Sequence, residues 1–175
     1  MSLGSAVVAI VLAVSSGVGV VAVDPVELPR AKAAPSPDGG RWSWPLEPMP
    51  EVARRFDPPE QPWLPGHRGV DLVGTIGQPV RSPAEGTVTY AGRLAGRGVV
   101  VVAHAGGLRS TFEPVAATRP VGSAVAQGDS VGSIAAEAGH CAPGTCLHWG
   151  VLRGRAYLDP LAFVGRARIV LLPLH

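Results

Sequence analysis

From Arg41 onward, glycine and proline cut the chain into short pieces, and this punctuation constrains the fold more than any other feature. The 23 glycines and 18 prolines, set against few aromatic residues, argue against long helices. An interior glycine costs a helix about 1 kcal/mol and a proline about 3. Between the breaks lie β-rich runs: Gly86-Thr87-Val88-Thr89-Tyr90-Ala91-Gly92, Gly98-Val99-Val100-Val101-Val102-Ala103-His104 and Leu108-Arg109-Ser110-Thr111-Phe112-Glu113. Joined by turns such as Ala105-Gly106-Gly107, they predict an antiparallel meander. A second hairpin is expected from Val121 to Val125 and Val131 to Ala135, about the turn Gln127-Gly128-Asp129. In Cys146 to Arg153 the period of two sets Leu147, Trp149 and Val151 on one face and Cys146 and His148 on the other. One helical turn is expected in Leu158 to Val164, opened by Asp159-Pro160. The fold class is therefore all-β, with one domain over residues 42–175, large enough to bury a core.

That domain is preceded by an N-terminal apolar segment. Ala6 to Val23 is broken only by Ser15, Ser16 and two glycines, and the Pro- and Ala-rich stretch that follows reads as a linker over residues 24–41. Residues 1–23 have the character of a signal peptide or an N-terminal membrane anchor, although no Lys or Arg precedes the apolar run. Cleavage after Ala22 and at Ala31-Lys32-Ala33 both fit. The expected location is extracytoplasmic, secreted or anchored in the cell envelope, with membrane contact only through this segment.

The net charge of +2 comes from dispersed arginines, and Lys32 is the single lysine. Without a basic cluster or interleaved aromatics, nucleic-acid binding is not expected. The chemistry-bearing residues fall in two short groups, His67-Arg68-Gly69-Val70-Asp71 and Cys146-Leu147-His148-Trp149-Gly150. Imidazole nitrogen and carboxylate oxygen are zinc donors, and a catalytic zinc keeps one position for water. A His and an Asp four residues apart are a weak signal alone.

An ordered set of motifs sharpens it. Arg41-Trp42-Ser43-Trp44-Pro45-Leu46, His67-Arg68-Gly69-Val70-Asp71, Gln78-Pro79-Val80-Arg81-Ser82-Pro83-Ala84-Glu85-Gly86, Val125-Ala126-Gln127-Gly128-Asp129-Ser130-Val131-Gly132, Leu147-His148-Trp149-Gly150-Val151 and Leu158-Asp159-Pro160 together resemble the lysostaphin-like (LytM-type) zinc metallopeptidase domain. The resemblance implies a compact, largely antiparallel β domain with an open groove, zinc at its floor, and activity on peptide cross-bridges of peptidoglycan. It assigns the metal to His67, Asp71 and His148.

The chain also departs from that pattern. The family's H-x-H begins with a catalytic histidine where this chain has Cys146, and a second family histidine, following a pattern like S-T-x-Y-x-H, falls on Val115. Hydrolysis needs a group to take a proton from water and return it to the leaving amine. Glu113 is one candidate base, on the expectation that the strand persists and puts it on the same side as Val115; His140, near Cys141, is the other. In an exported chain Cys141 and Cys146 are expected to form a disulfide that tightens the loop before His148; in a reducing compartment Cys146 would instead be a thiolate ligand. His104 and His175 are assigned to structure or solvent.

Two functions follow. One is a zinc endopeptidase of peptidoglycan; the other is a catalytically degenerate module that grips peptidoglycan peptides or regulates another cell-wall hydrolase. The run Gly122 to Gly132 is also similar to the hairpin of lipoyl or biotinyl carriers, but that chemistry needs a lysine amine in the turn and Lys32 lies far outside it.

Overall fold

The computed structural model describes residues 41–61, 63–137 and 141–164. The apolar segment 1–23, residues 24–40 of the linker, His140 and His175 lie outside them.

Eleven strands, all paired antiparallel, build two sheets among the described residues. The larger runs in the order β1 (Val52–Arg54), β2 (Val70–Val73), β10 (Cys146–Arg153), β6 (Leu108–Glu113), β5 (Arg97–Ala103), β4 (Gly86–Leu94) and β8 (Ala124–Val125), with β11 (Ala156–Leu158) paired to the far end of β10. The smaller has β9 (Ser130–Ile134) between β3 (Pro79–Arg81) and β7 (Val115–Ala117). The meander of β4, β5 and β6 follows the β-branched runs and their turns. Gly96, at φ +81, closes the first turn in a conformation that glycine adopts without steric cost. The helical turn α1 spans Leu161–Val164 and is opened by the Asp159 carboxylate, which accepts the Leu161 N–H at 2.9 Å.

The expected hairpin at Gln127-Gly128-Asp129 forms its turn but not its ladder. Asp129 accepts the Ala126 N–H at 2.8 Å and Gly128 takes φ +85, so the chain reverses as predicted. Yet β8 pairs with β4, and β9 with β3 and β7. Two strands joined by a tight turn here enter different sheets, because each buries its apolar residues, Val125 on one side and Val131 and Ile134 on the other, in the shared core.

That core draws Val88, Val100, Val102, Phe112, Leu147, Trp149 and Val151 from the large sheet and Val80, Val115, Val131 and Ile134 from the small one. Burying side chains of this size removes about 1.5–3 kcal/mol each from water. Trp42 stacks on Phe163 at 4.6 Å, and the Arg41 guanidinium donates to the Val164 carbonyl at 3.0 Å, tying the start of the domain to α1. Strand alternation then leaves the other face of the large sheet free of the core. Thr111 and Glu113 of β6, Val99 and Val101 of β5 and His148 of β10 line a groove of about 690 Å³ on that face.

Within the core sits one polar chain. The Glu85 carbonyl can only accept, so His104 donates to it from Nδ1 at 2.9 Å. Its Nε2 is then left to accept the Ser110 hydroxyl proton at 2.9 Å, and the Trp149 indole N–H donates to the same Ser110 oxygen at 3.4 Å. His104 is therefore neutral, and burial pushes its pKa below the usual histidine value, opposed by the hydrogen bond to Glu85. Its assignment to structure agrees with this place in the fold.

Candidate metal centre and groove

Strand β10 lies between β2 and β6, and its register lines three reactive residues in one transverse row. His148 stands opposite Asp71 in β2 and opposite Glu113 in β6. Directly opposed residues share a face, with Cβ atoms about 4.5–5.5 Å apart. Asp71, His148 and Glu113 therefore present their side chains to the same side of the sheet.

His67 reaches this row from outside the strand. Its backbone bridges Asp57, and the chain bends at Arg68-Gly69 before β2 begins. The result is a tight donor set: His67 Nε2 to Asp71 Oδ1 3.1 Å, His148 Nδ1 to Asp71 Oδ1 2.8 Å, and His67 Nε2 to His148 Nδ1 3.1 Å. Asp71 and His67 are almost fully buried, at 1% and 3% exposure, whereas His148 keeps 14% and opens onto the groove.

This arrangement fits a zinc ion. Bonds of about 2.0–2.1 Å in a tetrahedron hold neighbouring donor atoms about 3.3 Å apart, close to the three spacings found. The outer contacts fit as well. His67 donates from Nδ1 to the Arg55 carbonyl at 2.7 Å, which fixes the tautomer with the Nε2 lone pair turned to the other donors.

The backbone at Gly69 completes the centre. A Cβ there would meet the Trp149 carbonyl at 2.4 Å and His148 Nε2 at 2.7 Å, so only glycine lets β2 close on the back of the His148 ring. Sequence reading by His-to-Asp spacing passes over Gly69, although its place inside His67-Arg68-Gly69-Val70-Asp71 is the signal.

Glu113 lines the groove together with His67 and His148, and Arg97 of β5 stands 3.6 Å from its carboxylate. The expected route to this position fails, however. The strand does not persist to Val115: it ends at Glu113, Pro114 has no N–H with which to extend the ladder, and Val115 opens β7 of the other sheet at 2% exposure. Val115 is a core residue, and Glu113 faces the groove through its pairing with His148.

Cys141 and Cys146 are joined by a disulfide, with Cα atoms 5.9 Å apart. Both sulfurs lie within 4.8 Å of each other and of an Asp71 carboxylate oxygen, so the bridge stands against the donor set. Tyr90, Thr89 and Leu94 of β4, Arg68, Arg109 and Tyr157 form the rest of the groove wall. None of these was singled out in the sequence, since only the packing of β4, β5, β6 and β11 brings them to one surface.

The large sheet of this β domain thus carries a His-Asp-His donor set beside a groove. Residues 65–160 match the family model described as peptidase family M23, and the chain belongs to that family. The uncharacterized protein Rv2891 of Mycobacterium tuberculosis is 48% identical over 147 residues, covering 81% of this chain and 59% of the relative. The chain thus spans about three fifths of the length of the curated relatives it matches. Among solved structures, a zinc-containing peptidase from Vibrio cholerae superposes with a TM-score of 0.58 at 22% identity, over 66% of this chain and 37% of that one. The catalytic domain of lysostaphin from Staphylococcus simulans gives 0.56 at 21% identity, over 66% of this chain and 92% of that one. These similarities establish the lysostaphin-like fold expected from the motifs.

Proposed function

We propose that the chain is an exported, zinc-dependent endopeptidase that cuts peptide bonds of peptidoglycan, with His67, Asp71 and His148 as metal ligands and Glu113 as the base. The observation that carries this reading is the register row: a carboxylate stands directly across the ladder from His148 and faces the same groove. Zinc, when bound, supplies Lewis acidity toward the scissile carbonyl and lowers the pKa of water. Glu113 takes a proton from the attacking water at its carboxylate and passes it to the nitrogen of the leaving amine. Arg97 restrains that carboxylate. Tyr90, Tyr157 and Thr111 offer hydroxyls along the groove for an extended peptide, and Leu94, Val99 and Val101 offer apolar contact.

A second reading keeps the metal but not the reaction: a module that binds peptidoglycan or regulates another wall hydrolase. What favours it is that the two positions where the family has further histidines are occupied by the buried Val115 and the disulfide-bonded Cys146. Digestion of purified peptidoglycan by the zinc-loaded chain separates the two. New amino termini released by wild type, and lost in both Glu113→Gln and His148→Ala, support the endopeptidase. Zinc-loaded protein that sediments with peptidoglycan yet releases nothing supports the module.

A further inference from the structure

We propose that the Cys141–Cys146 disulfide is a redox gate on the metal centre: oxidised, it leaves a three-donor site open to water, and reduced, it frees Cys146 as a fourth ligand that closes the site. The inference rests on the metal reading above and concerns what regulates that centre.

Two clusters of donor atoms meet at one residue. Asp71 shares one with His67 and His148, and another with Cys141 and Cys146, the atoms of each lying within 4.8 Å of one another. Cys146 sits on β10 two residues before His148, so strand period gives both the same face. A sulfur freed at Cys146 thus starts within 4.8 Å of the shared carboxylate, and rotation about its Cα–Cβ bond is the movement that would carry it onto the metal.

The two sulfurs differ in access. Cys146 is buried within the sheet, whereas Cys141 is only half-buried and leads the exposed turn Ala142-Pro143-Gly144. Attack by a dithiol reductant therefore falls on Cys141 Sγ. The S–S bond breaks, a mixed disulfide forms at Cys141, and the electron pair leaves on Cys146 Sγ as a thiolate. The second thiol of the reductant then displaces Cys141, leaving two protein thiols and one oxidised dithiol. Thiolate is a strong zinc donor, and a fourth protein ligand turns an open catalytic site into a closed structural one.

The test uses the full chain and cobalt(II) as the spectroscopic probe. Oxidised protein is expected to bind cobalt with visible ligand-field bands and no thiolate charge-transfer band in the near ultraviolet. Dithiothreitol followed by buffer exchange should add that band and tighten zinc at least tenfold in a chelator competition. Cys141→Ser should show the band without reductant, and Cys146→Ser should show none in either state. If oxidised protein binds no cobalt, the metal reading itself fails and the gate with it. If it binds cobalt but reduction adds no sulfur band and leaves zinc affinity unchanged, the gate is overturned and the metal reading stands. A sulfur band that survives in Cys146→Ser overturns Cys146 as the ligand.

Discussion

Gly69→Ala tests whether the metal centre depends on the close approach of β2 to β10. The added Cβ would lie 2.4 Å from the Trp149 carbonyl and 2.7 Å from His148 Nε2. Comfortable contact needs about 3.5 Å, so the shortfall is about 1.1 Å at the carbonyl and about 0.8 Å at the ring. The carbonyl belongs to the central strand and cannot retreat without parting β2 from β10. The imidazole can move, and it is a donor. Metal sites tolerate displacements of only about 0.2 Å, so a shift of this size takes His148 Nδ1 off its bond vector. We expect zinc affinity to fall by about 10–100-fold or more, the range for disturbing a ligand's support. Metal-free stability should fall by about 1–3 kcal/mol, the cost of overpacking. Competition with a chromogenic chelator measures the first and thermal melting without zinc the second. Circular dichroism should show the β fold retained. A Gly69→Ala protein that holds zinc within twofold of wild type would refute the argument, since His148 would then not be held by that contact.

Four further outcomes are expected. His148→Ala should remove zinc from a chain that otherwise carries about one equivalent, read by elemental analysis; metal-free wild type would sink the assignment of the centre. Because the His104 pKa is lowered on folding, the unfolded chain binds the extra proton first as pH falls below about 6.5. Stability should thus be level above that pH, decline as pH falls from there toward the lower folded-state value, and level off below it. His104→Gln should flatten the decline in urea melts, and an unchanged slope would remove His104 from it. Ser110→Ala strips the partner from both His104 Nε2 and the Trp149 indole and should cost about 1–3 kcal/mol by the same melts; a neutral result would contradict the network. Arg97→Met should lower turnover of peptidoglycan while leaving zinc content unchanged, and loss of zinc would mean that Arg97 supports the centre rather than Glu113.

What could be read in the sequence follows from how local each determinant is. The β-branched runs between glycines determine β4, β5 and β6 almost alone, because strand period and turn chemistry act over a few residues. The Cys141–Cys146 pair was likewise legible, since the sequence holds two cysteines and they stand five residues apart. Pairing partners were not. The turn at Gly128 predicts a reversal but says nothing of which sheet each arm enters, and there the shared core decided.

The centre shows the same division at finer scale. Four extended residues span about 13 Å, so the spacing of His67 and Asp71 does not itself bring their atoms to 3.1 Å. The bend at Arg68-Gly69 does that, and it depends on Asp57 holding the His67 backbone from another segment. Glu113 depends on something less local still. A slip of one residue between β6 and β10 would turn its carboxylate into the core and bring Phe112 out to the groove. Phe112, fully buried against Trp149 and Val151 in the core, opposes that slip by about 1.5–3 kcal/mol, the cost of leaving such a side chain exposed, before the cost of burying the Glu113 carboxylate is added. The apolar packing of the sheet's inner face thus determines the reactive row on its outer face. The inner packing keeps Glu113 at the place on β6 that stands directly across the ladder from His148.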